Sequence, residues 1–283
     1  MGEFSYGKSI SDSFKLVFGN LYIFVPLLIG SAIGMLMSQI FSGLFNPVNI
    51  NLDYILSHLS LLLLALVGFV ILMAISYFSY GWFFALIGQI VKKGKASLSE
   101  ELKNAPRKGW NYFLITLSMI VVLFGLIIIF MAPLIILGFI LKSGLIAGIS
   151  TAIVISLMVV AIVILVLAIV HTIPIVSMDN IGPINTIKNS FNHFNNNRLH
   201  TLALVGIIIL FMIPTIALMY LILFLSIGSF TDTQLIEYML TYPIKYSVIS
   251  AISGLPVMLM SGWVYAFLTV SYIRKKRLVK EQA

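Results

Sequence analysis

Residues 199–231 read LHTLALVGIIILFMIPTIALMYLILFLSIGSFT, and no Lys, Arg, Asp or Glu interrupts them. A bilayer core about 30 Å thick is crossed by roughly 20 apolar residues in an α-helix. This stretch is therefore long enough to cross a membrane. Residues 54–91 form a second run that lacks all four charged residue types and predicts another crossing. Together the two runs predict a protein embedded in a bilayer.

The composition of the whole chain agrees with that prediction. Of its 283 residues, 60% are hydrophobic and only 9% are charged, whereas soluble domains carry about 25% charged residues. A chain this apolar cannot cover itself with a water-soluble surface. The predicted fold class is all-α, a single integral membrane domain over residues 1–283 with spans at roughly 21–45, 56–91, 112–141, 145–176, 199–227 and 244–272.

The basic residues orient these predicted spans. If the N-terminus is cytoplasmic, fifteen of the 17 Lys and Arg residues fall on the cytoplasmic side, and only Lys142 and Lys245 fall outside. Cytoplasmic loops of membrane proteins are enriched in Lys and Arg. An odd number of spans would put the basic C-terminal tail outside. The distribution therefore predicts an even number of spans, with both termini cytoplasmic, in the plasma membrane.

Three segments that precede odd-numbered spans resemble one another. In residues 5–20 and 182–197, apolar residues recur three or four positions apart, which is typical of an amphipathic helix. In residues 96–111, Ser97 and Glu100 form a capping box. The segments predict three cytoplasmic interfacial helices. They also favour a threefold parallel repeat, although any six-span protein needs inner linkers at these places; the repeats would be residues 5–91, 96–176 and 182–272.

The best match between these segments singles out residues predicted to contact a ligand or a partner. Ser13-Phe14 in the first segment corresponds to Ser190-Phe191 in the third. Asp179 is predicted either to contact a ligand at the inner face or to cap the next helix, because Asp shortly before a Gly-Pro pair is typical of a helix N-terminus. The candidate set is Ser13, Phe14, Asp179, Asn180, Lys188, Ser190 and Phe191.

A second candidate surface is the basic cluster that follows the last predicted span. Attraction to anionic lipid headgroups contributes about 1 kcal/mol for each cation near a membrane surface. Nucleic-acid binding is not predicted, because the chain has no room for a folded basic domain. The predicted headgroup contacts are Arg274, Lys275, Lys276 and Arg277.

Catalytic, cofactor and metal sites are not predicted. The chain contains no cysteine, and its four histidines, which are His58, His171, His193 and His200, lack the spacing that places two metal ligands on one helix face. Phosphate-binding loops, dinucleotide fingerprints and nucleophile elbows are all absent from the sequence. The pattern therefore disfavours an enzyme.

Small residues recur along one face of the sixth predicted span. Such stripes more often mediate close helix packing than line a pore, and packing is the prediction. No Asp, Glu, Lys or Arg lies deep in a predicted span, which disfavours a proton-coupled carrier. The stripe consists of Ser247, Ser250, Ser253, Gly254 and Ser261.

Residues 174–194 carry a resemblance to a known group of proteins. The segment resembles a signature in uncharacterised prokaryotic six-span proteins, which include the membrane domain associated with some glycerophosphodiester phosphodiesterases. The phosphodiesterase catalytic domain itself is missing here, so the resemblance implies the membrane fold and no hydrolase activity. The residues that carry it are Pro174, Asp179, Gly182, Thr186, Lys188, Ser190 and Phe191.

These patterns favour a non-enzymatic membrane protein without a cofactor. It is expected to organise or handle envelope lipid, or to serve as a membrane subunit. Its expected partners are membrane lipids and either another protein or a second copy of the chain. The alternative is a facilitator-type transporter of a small solute or lipid, with a cleft between the helix repeats.

Overall fold

The computed structural model describes residues 4–44, 59–140, 144–228, 238 and 241–282, and the regular structure of these residues is helical throughout. A short 3₁₀ helix (Leu21–Phe24) precedes the second α-helix. The α-helices are α1 (Tyr6–Phe18), α2 (Val25–Leu44), α3 (Leu59–Lys93), α4 (Leu98–Leu102), α5 (Ala105–Ile140), α6 (Gly144–Ile169), α7 (Thr172–Met178), α8 (Pro183–Asn196), α9 (Arg198–Ile227) and α10 (Pro243–Gln282).

The helices confirm the all-α fold, and their lengths and composition are compatible with a polytopic membrane protein. Among the described residues, five helices are long and apolar enough to cross a membrane, and a sixth crossing is formed if α1 and α2 count as one bent span. The predicted spans agree with the helices to within a few residues at most ends. The largest differences are at α10, which ends at Gln282 instead of residue 272, and at α5, which begins at Ala105 instead of residue 112. Residues 142–143, which lie between the third and fourth predicted spans, are outside the described residues.

A bend of 77° separates α1 from the apolar helix that follows. The backbone N–H of Gly19 donates to the Lys15 carbonyl at 2.9 Å, and the Asn20 side chain donates to the Leu16 carbonyl at 2.8 Å. These bonds satisfy carbonyls that a helix end leaves without intrahelical donors. Gly19 and Asn20 therefore close the C-terminal end of α1 just before the bend.

The fourth predicted span, residues 145–176, is broken into two helices. Helix α6 ends at Ile169, and α7 begins at Thr172 after a turn at Val170 and His171. Pro174 has no N–H to donate to the Val170 carbonyl, so an uninterrupted helix would lose a hydrogen bond there. The short helix α7 packs against α3, α8 and α10.

Two details of the predicted interfacial helices need correction. The residue that precedes α8 as its N-cap is Gly182, so Asp179 does not cap this helix; it is instead the C-cap of α7. The middle segment does not form one helix, because α4 has only five residues and α5 already begins at Ala105. The middle copy therefore departs most from the proposed repeat, which stays a prediction.

Charged and buried side chains gather toward one end of the bundle, here called the charged end. It comprises the C-terminal ends of α3, α7 and α10, the N-terminal end of α5, and helices α1, α4 and α8. The large apolar side chains of Phe83, Phe84 and Phe267 are fully buried on this side. Farther along the spans, apolar side chains such as Val70 and Ile128 are exposed on the protein surface. A surface this apolar is suited to contact with lipid.

Helices α3 and α5 make the closest contact between two long helices. A Cβ atom added at Gly81 would overlap the backbone of Ala105 and Gly109, and one added at Gly109 would overlap the Tyr77 carbonyl. The two glycines therefore let the helix backbones touch, as small residues do in membrane helix pairs. Gly88 on α3 makes the same kind of contact with the Ser177 carbonyl at the end of α7.

Candidate functional site: a hydroxyl-lined cleft

An open cleft of about 960 Å³ lies between α2, α3 and α10, with one residue from α9. Most of the predicted small-residue stripe faces it, namely Ser247, Ser250, Gly254 and Ser261. The prediction that this stripe packs against a neighbouring helix is therefore wrong. A Cβ atom added at Gly34 or Gly254 would meet no other atom within 4 Å, which shows that the facing helices stand apart here.

The described residues that line this cleft are uncharged. Its other lining residues are Leu27, Leu28, Gly30, Ser31, Ala32, Gly34, Met35, Ser76, Ser79, Tyr80, Met219, Tyr246, Ala251, Leu255, Val257, Met258 and Tyr265. Aliphatic and aromatic side chains make most of the wall, and hydroxyl groups of serine and tyrosine supply its polar atoms. A largely apolar concavity with a few polar groups is the usual form of a small-molecule site.

Ser79 is the most enclosed of the cleft serines, with only 5% of its surface exposed. Gly30 makes room for it, because a Cβ atom added at Gly30 would lie 2.6 Å from the Ser79 hydroxyl oxygen. Ser253 differs from the other stripe residues. It is buried away from the cleft, and its hydroxyl donates to the Ser250 carbonyl at 3.0 Å.

The candidate residues around Asp179 lie elsewhere, in a group of side chains that holds the end of α7. The buried Lys108 donates from its ammonium to the carbonyls of Val176 and Ser177, at 2.7 and 2.6 Å. Such bonds satisfy the carbonyls that a helix C-terminus leaves free. A cation at this end also interacts favourably with the helix dipole.

Three neighbours of Lys108 extend the group, which we call the carbonyl clamp. Their side chains donate to backbone carbonyls: Lys92 to that of Met178 at 2.9 Å, Arg107 to that of Asn180 at 2.7 Å, and Asn111 to that of Ile181 at 2.9 Å. The clamp thus consists of Lys92, Arg107, Lys108 and Asn111, which come from α3 and α5. It fixes the backbone of residues 176–181 to two spanning helices. Asn180, a predicted contact residue, accepts through its backbone carbonyl.

The serine and phenylalanine pairs that match between the first and third segments have packing roles. Ser13 and Ser190 are fully buried, and their hydroxyls donate to the carbonyls of Ile10 at 2.8 Å and Ala168 at 2.6 Å. Phe14 stacks on Trp263, with ring centroids 4.8 Å apart. Phe191 is half-buried against the cluster of Leu167, Ala168 and Phe194, and Lys188 is exposed.

The basic cluster at the end of α10 is partly engaged within the protein. Arg274 forms an ion pair with Asp12 and donates a hydrogen bond to the Ser9 hydroxyl at 3.0 Å, so it is not free for lipid headgroups as predicted. The Lys276 ammonium lies 3.9 Å from the Asp179 carboxylate. Lys275 is half-buried, and Arg277 is exposed. Arg277 is the residue of this cluster best placed to meet a headgroup.

Three histidines meet at the charged end, although they are far apart in the sequence. The rings of His171 and His193 are 4.3 Å apart, a nitrogen of His171 lies 2.8 Å from the Thr201 hydroxyl oxygen, and a nitrogen of His200 lies 3.0 Å from the Tyr6 hydroxyl. Within the described residues, no group of three or more His, Asp or Glu side chains is arranged to hold a metal ion.

The comparisons with known proteins add no family to this description. No family model matches. No curated protein and no solved structure is significantly similar to the chain. The resemblance to the membrane domain associated with glycerophosphodiester phosphodiesterases therefore stays a prediction. What the chain does has to be argued from its own geometry.

The histidine cluster predicts loss of stability in acid. Burial lowers the pKa of His193 from 6.5 to about 4, and the nearby cations Lys275 and Lys276 act in the same direction. Because the unfolded chain binds the proton more readily, this contribution to stability is full above about pH 6.5 and falls as the pH drops toward 4. We expect a lower thermal unfolding midpoint at pH 5 than at pH 7 in mild detergent.

The control for this prediction is His193→Phe, which keeps a ring beside His171 and Tyr272 but cannot titrate. Its unfolding midpoint should fall less between pH 7 and pH 5 than that of the natural protein. An equal fall in the two proteins would show that His193 is not a source of the acid sensitivity.

Proposed function

We propose that the protein is a non-enzymatic membrane protein that binds a lipid in the cleft between α2, α3 and α10. The observation that carries the proposal is the cleft itself, whose volume of about 960 Å³ lies at the upper end of the range usual for ligand sites, about 300–1,000 Å³. Its walls are apolar and open to the surroundings of the spanning helices. A hydrocarbon chain could enter from the bilayer without crossing water.

The location of this site follows from the distribution of charge. We place the charged end on the cytoplasmic side of the plasma membrane, because Lys and Arg are enriched on that side of membrane proteins. The chain then crosses six times, with both termini inside. The cleft lies among spanning helices, at the depth of the acyl chains. Arg277 and the other exposed cations of the charged end meet anionic headgroups at the inner surface.

Lipid binding is tested with a variant whose added side chain occupies part of the cleft. Gly254→Leu adds an isobutyl group in the cleft, where a Cβ atom would meet no neighbouring atom within 4 Å, and Gly206→Leu adds one at an equally open position on the exposed surface of α9. We expect protein purified in mild detergent to retain bound lipid in the natural chain and in Gly206→Leu, and to lose most of it in Gly254→Leu. Mass spectrometry of extracted lipid, normalised to protein, makes the measurement.

Two results would contradict the proposal: equal lipid retention in all three proteins, or no retained lipid in any. Ser250→Leu provides a second cleft-filling variant if Gly254→Leu unfolds. A facilitator would use the same cleft but would also move its ligand across the membrane. Transfer of a fluorescent lipid between the leaflets of proteoliposomes separates that alternative from simple binding. A membrane subunit would instead co-purify with a stoichiometric partner.

A further inference from the structure

We infer that the ligand of the cleft is a neutral lipid that bears hydroxyl groups, such as a diacylglycerol, a monoacylglycerol or a long-chain alcohol. The inference rests on the proposed function and names the class of lipid. Three features of the cleft carry it: its length, the state of its hydroxyl groups, and its lack of charge.

The cleft has the dimensions of an extended hydrocarbon chain. Its lining on α10 runs from Tyr246 to Tyr265, and 19 residues of helix extend about 28 Å at 1.5 Å per residue. This is nearly the thickness of the hydrocarbon core of a bilayer, about 30 Å. The groove therefore follows the direction in which an acyl or alkyl chain lies in a membrane.

Several hydroxyl groups in the cleft make no hydrogen bond to their own helix, whereas several elsewhere in the spanning helices do; the Ser271 hydroxyl, buried in α10 outside the cleft, is an exception. Outside the cleft, Ser118 and Ser156 donate to the carbonyl four residues earlier in their own helix, both at 2.8 Å. Thr215 does so at 2.9 Å. Within the described structure, the hydroxyls of five cleft serines make no such bond; these are Ser31, Ser76, Ser79, Ser250 and Ser261.

The unpaired hydroxyl of Ser79 is the most informative of these. The residue is only 5% exposed, and it borders the cleft. A hydroxyl without a hydrogen bond is unfavourable in apolar surroundings. A ligand that brings a hydroxyl or ester oxygen to this point would supply the missing bond. A plain hydrocarbon would not.

The end of the cleft at Tyr265 is where we place the polar group of such a lipid. Tyr265 borders the cleft and packs edge-on against Phe83 and Phe84, with ring centroids 5.8 and 5.4 Å apart. Tyr265 is therefore at the end of the cleft nearest the charged end. We place the polar head of the lipid at this end, beside the hydroxyls of Ser79, Ser261 and Tyr265, with the chain extending toward Tyr246.

Charge excludes a phospholipid head at that position. No residue that lines the cleft in the described structure is charged, and an ionised group buried without a partner is strongly unfavourable. The cation nearest in sequence, Lys245, adjoins Tyr246 at the opposite end. Its ammonium lies 5.8 and 5.9 Å from the ring centres of Tyr238 and Tyr242. A neutral head fits the end of the cleft at Tyr265, whereas a phosphate does not.

Photo-crosslinking tests this inference. Diacylglycerol and phosphatidylglycerol probes with identical diazirine-bearing chains are added to phosphatidylcholine vesicles that contain the natural protein. Crosslinked peptides from α10 are then quantified by mass spectrometry. We expect diacylglycerol to label the peptide that contains Ser250 and Gly254 about ten times more than phosphatidylglycerol, a preference that corresponds to about 1.4 kcal/mol.

Two serine variants sharpen the comparison. Ser79→Ala removes the enclosed hydroxyl and should reduce diacylglycerol labelling about fivefold, which is the effect of one hydrogen bond of about 1 kcal/mol. Ser118→Ala removes a hydroxyl that bonds to its own helix outside the cleft, and it should leave labelling unchanged. Equal effects of the two variants would overturn the role assigned to Ser79.

The outcomes also separate this inference from the proposed function. If phosphatidylglycerol labels the cleft as well as diacylglycerol does, and Lys245→Gln reduces that labelling, the ligand is an anionic lipid. The inference then fails while lipid binding stands. If neither probe labels the cleft above the level of exposed α9, the proposed function fails as well.

Discussion

Replacing Lys108 by methionine should destabilise the protein by about 2 kcal/mol, the range expected when hydrogen bonds from a charged donor are lost. The ammonium of Lys108 donates to two carbonyls at the end of α7, and only 7% of the residue is exposed. Methionine has a similar length and keeps most of the packing. The variant therefore leaves the Val176 and Ser177 carbonyls without this donor.

The matched control for Lys108→Met is Lys103→Met, which makes the same chemical change at an exposed site near the start of α5. Surface substitutions of this kind usually change stability by less than about 0.5 kcal/mol. The free energy of unfolding is measured in mild detergent by titration with a denaturing detergent. If the two variants lose equal stability, the carbonyl clamp does not hold α7 in the way described.

Replacing Gly109 by alanine should cost still more, about 3 kcal/mol, because a Cβ atom there would meet the backbone of α3. The atoms in the way are the Tyr77 carbonyl and the α-carbon of Phe78, which are backbone and cannot rotate aside. The helices would have to separate. Since α3 carries much of the buried core, including Phe83 and Phe84, their separation would loosen that core as well.

Gly125→Ala on the same helix is the control, and its effect should have the opposite sign. A Cβ atom at Gly125 meets nothing within 4 Å, and alanine in a helix interior is favoured over glycine by about 0.5–1 kcal/mol. Unfolding free energies measured in parallel should fall for Gly109→Ala and rise slightly for Gly125→Ala. Similar changes in the two variants would show that α3 and α5 are not in backbone contact.

The spanning helices could be predicted from the sequence, because an apolar run long enough to cross a bilayer has few other stable forms. Helix ends near the charged end were harder to predict. Helix α5 begins at Ala105, before Arg107 and Lys108, and hydropathy does not reveal that those charges bond to carbonyls of another helix. In the sequence, only Pro174 indicates the helix break before α7.

The cleft and the histidine cluster depend on tertiary geometry that one sequence does not contain. The pattern of Ser250, Gly254 and Ser261 in the sequence is the same whether a neighbouring helix packs against these residues or lies apart from them. Likewise, His171 and His193 lie on different helices, and their ring contact arises only when α8 folds against α6 and α7. The useful signal in the sequence was the serine content of the stripe, since serine is not needed for packing where alanine would serve.

The most direct test of lipid binding is an experimental density map of the natural protein in a lipid bilayer. We expect continuous elongated density along α10 from Tyr246 toward Tyr265, with its polar end within hydrogen-bonding distance of the Ser79 hydroxyl. Helices α2, α3 and α10 should stand apart around it. A map in which these helices close on one another, so that Gly34 and Gly254 contact neighbouring helices and no lipid lies between them, would contradict the account.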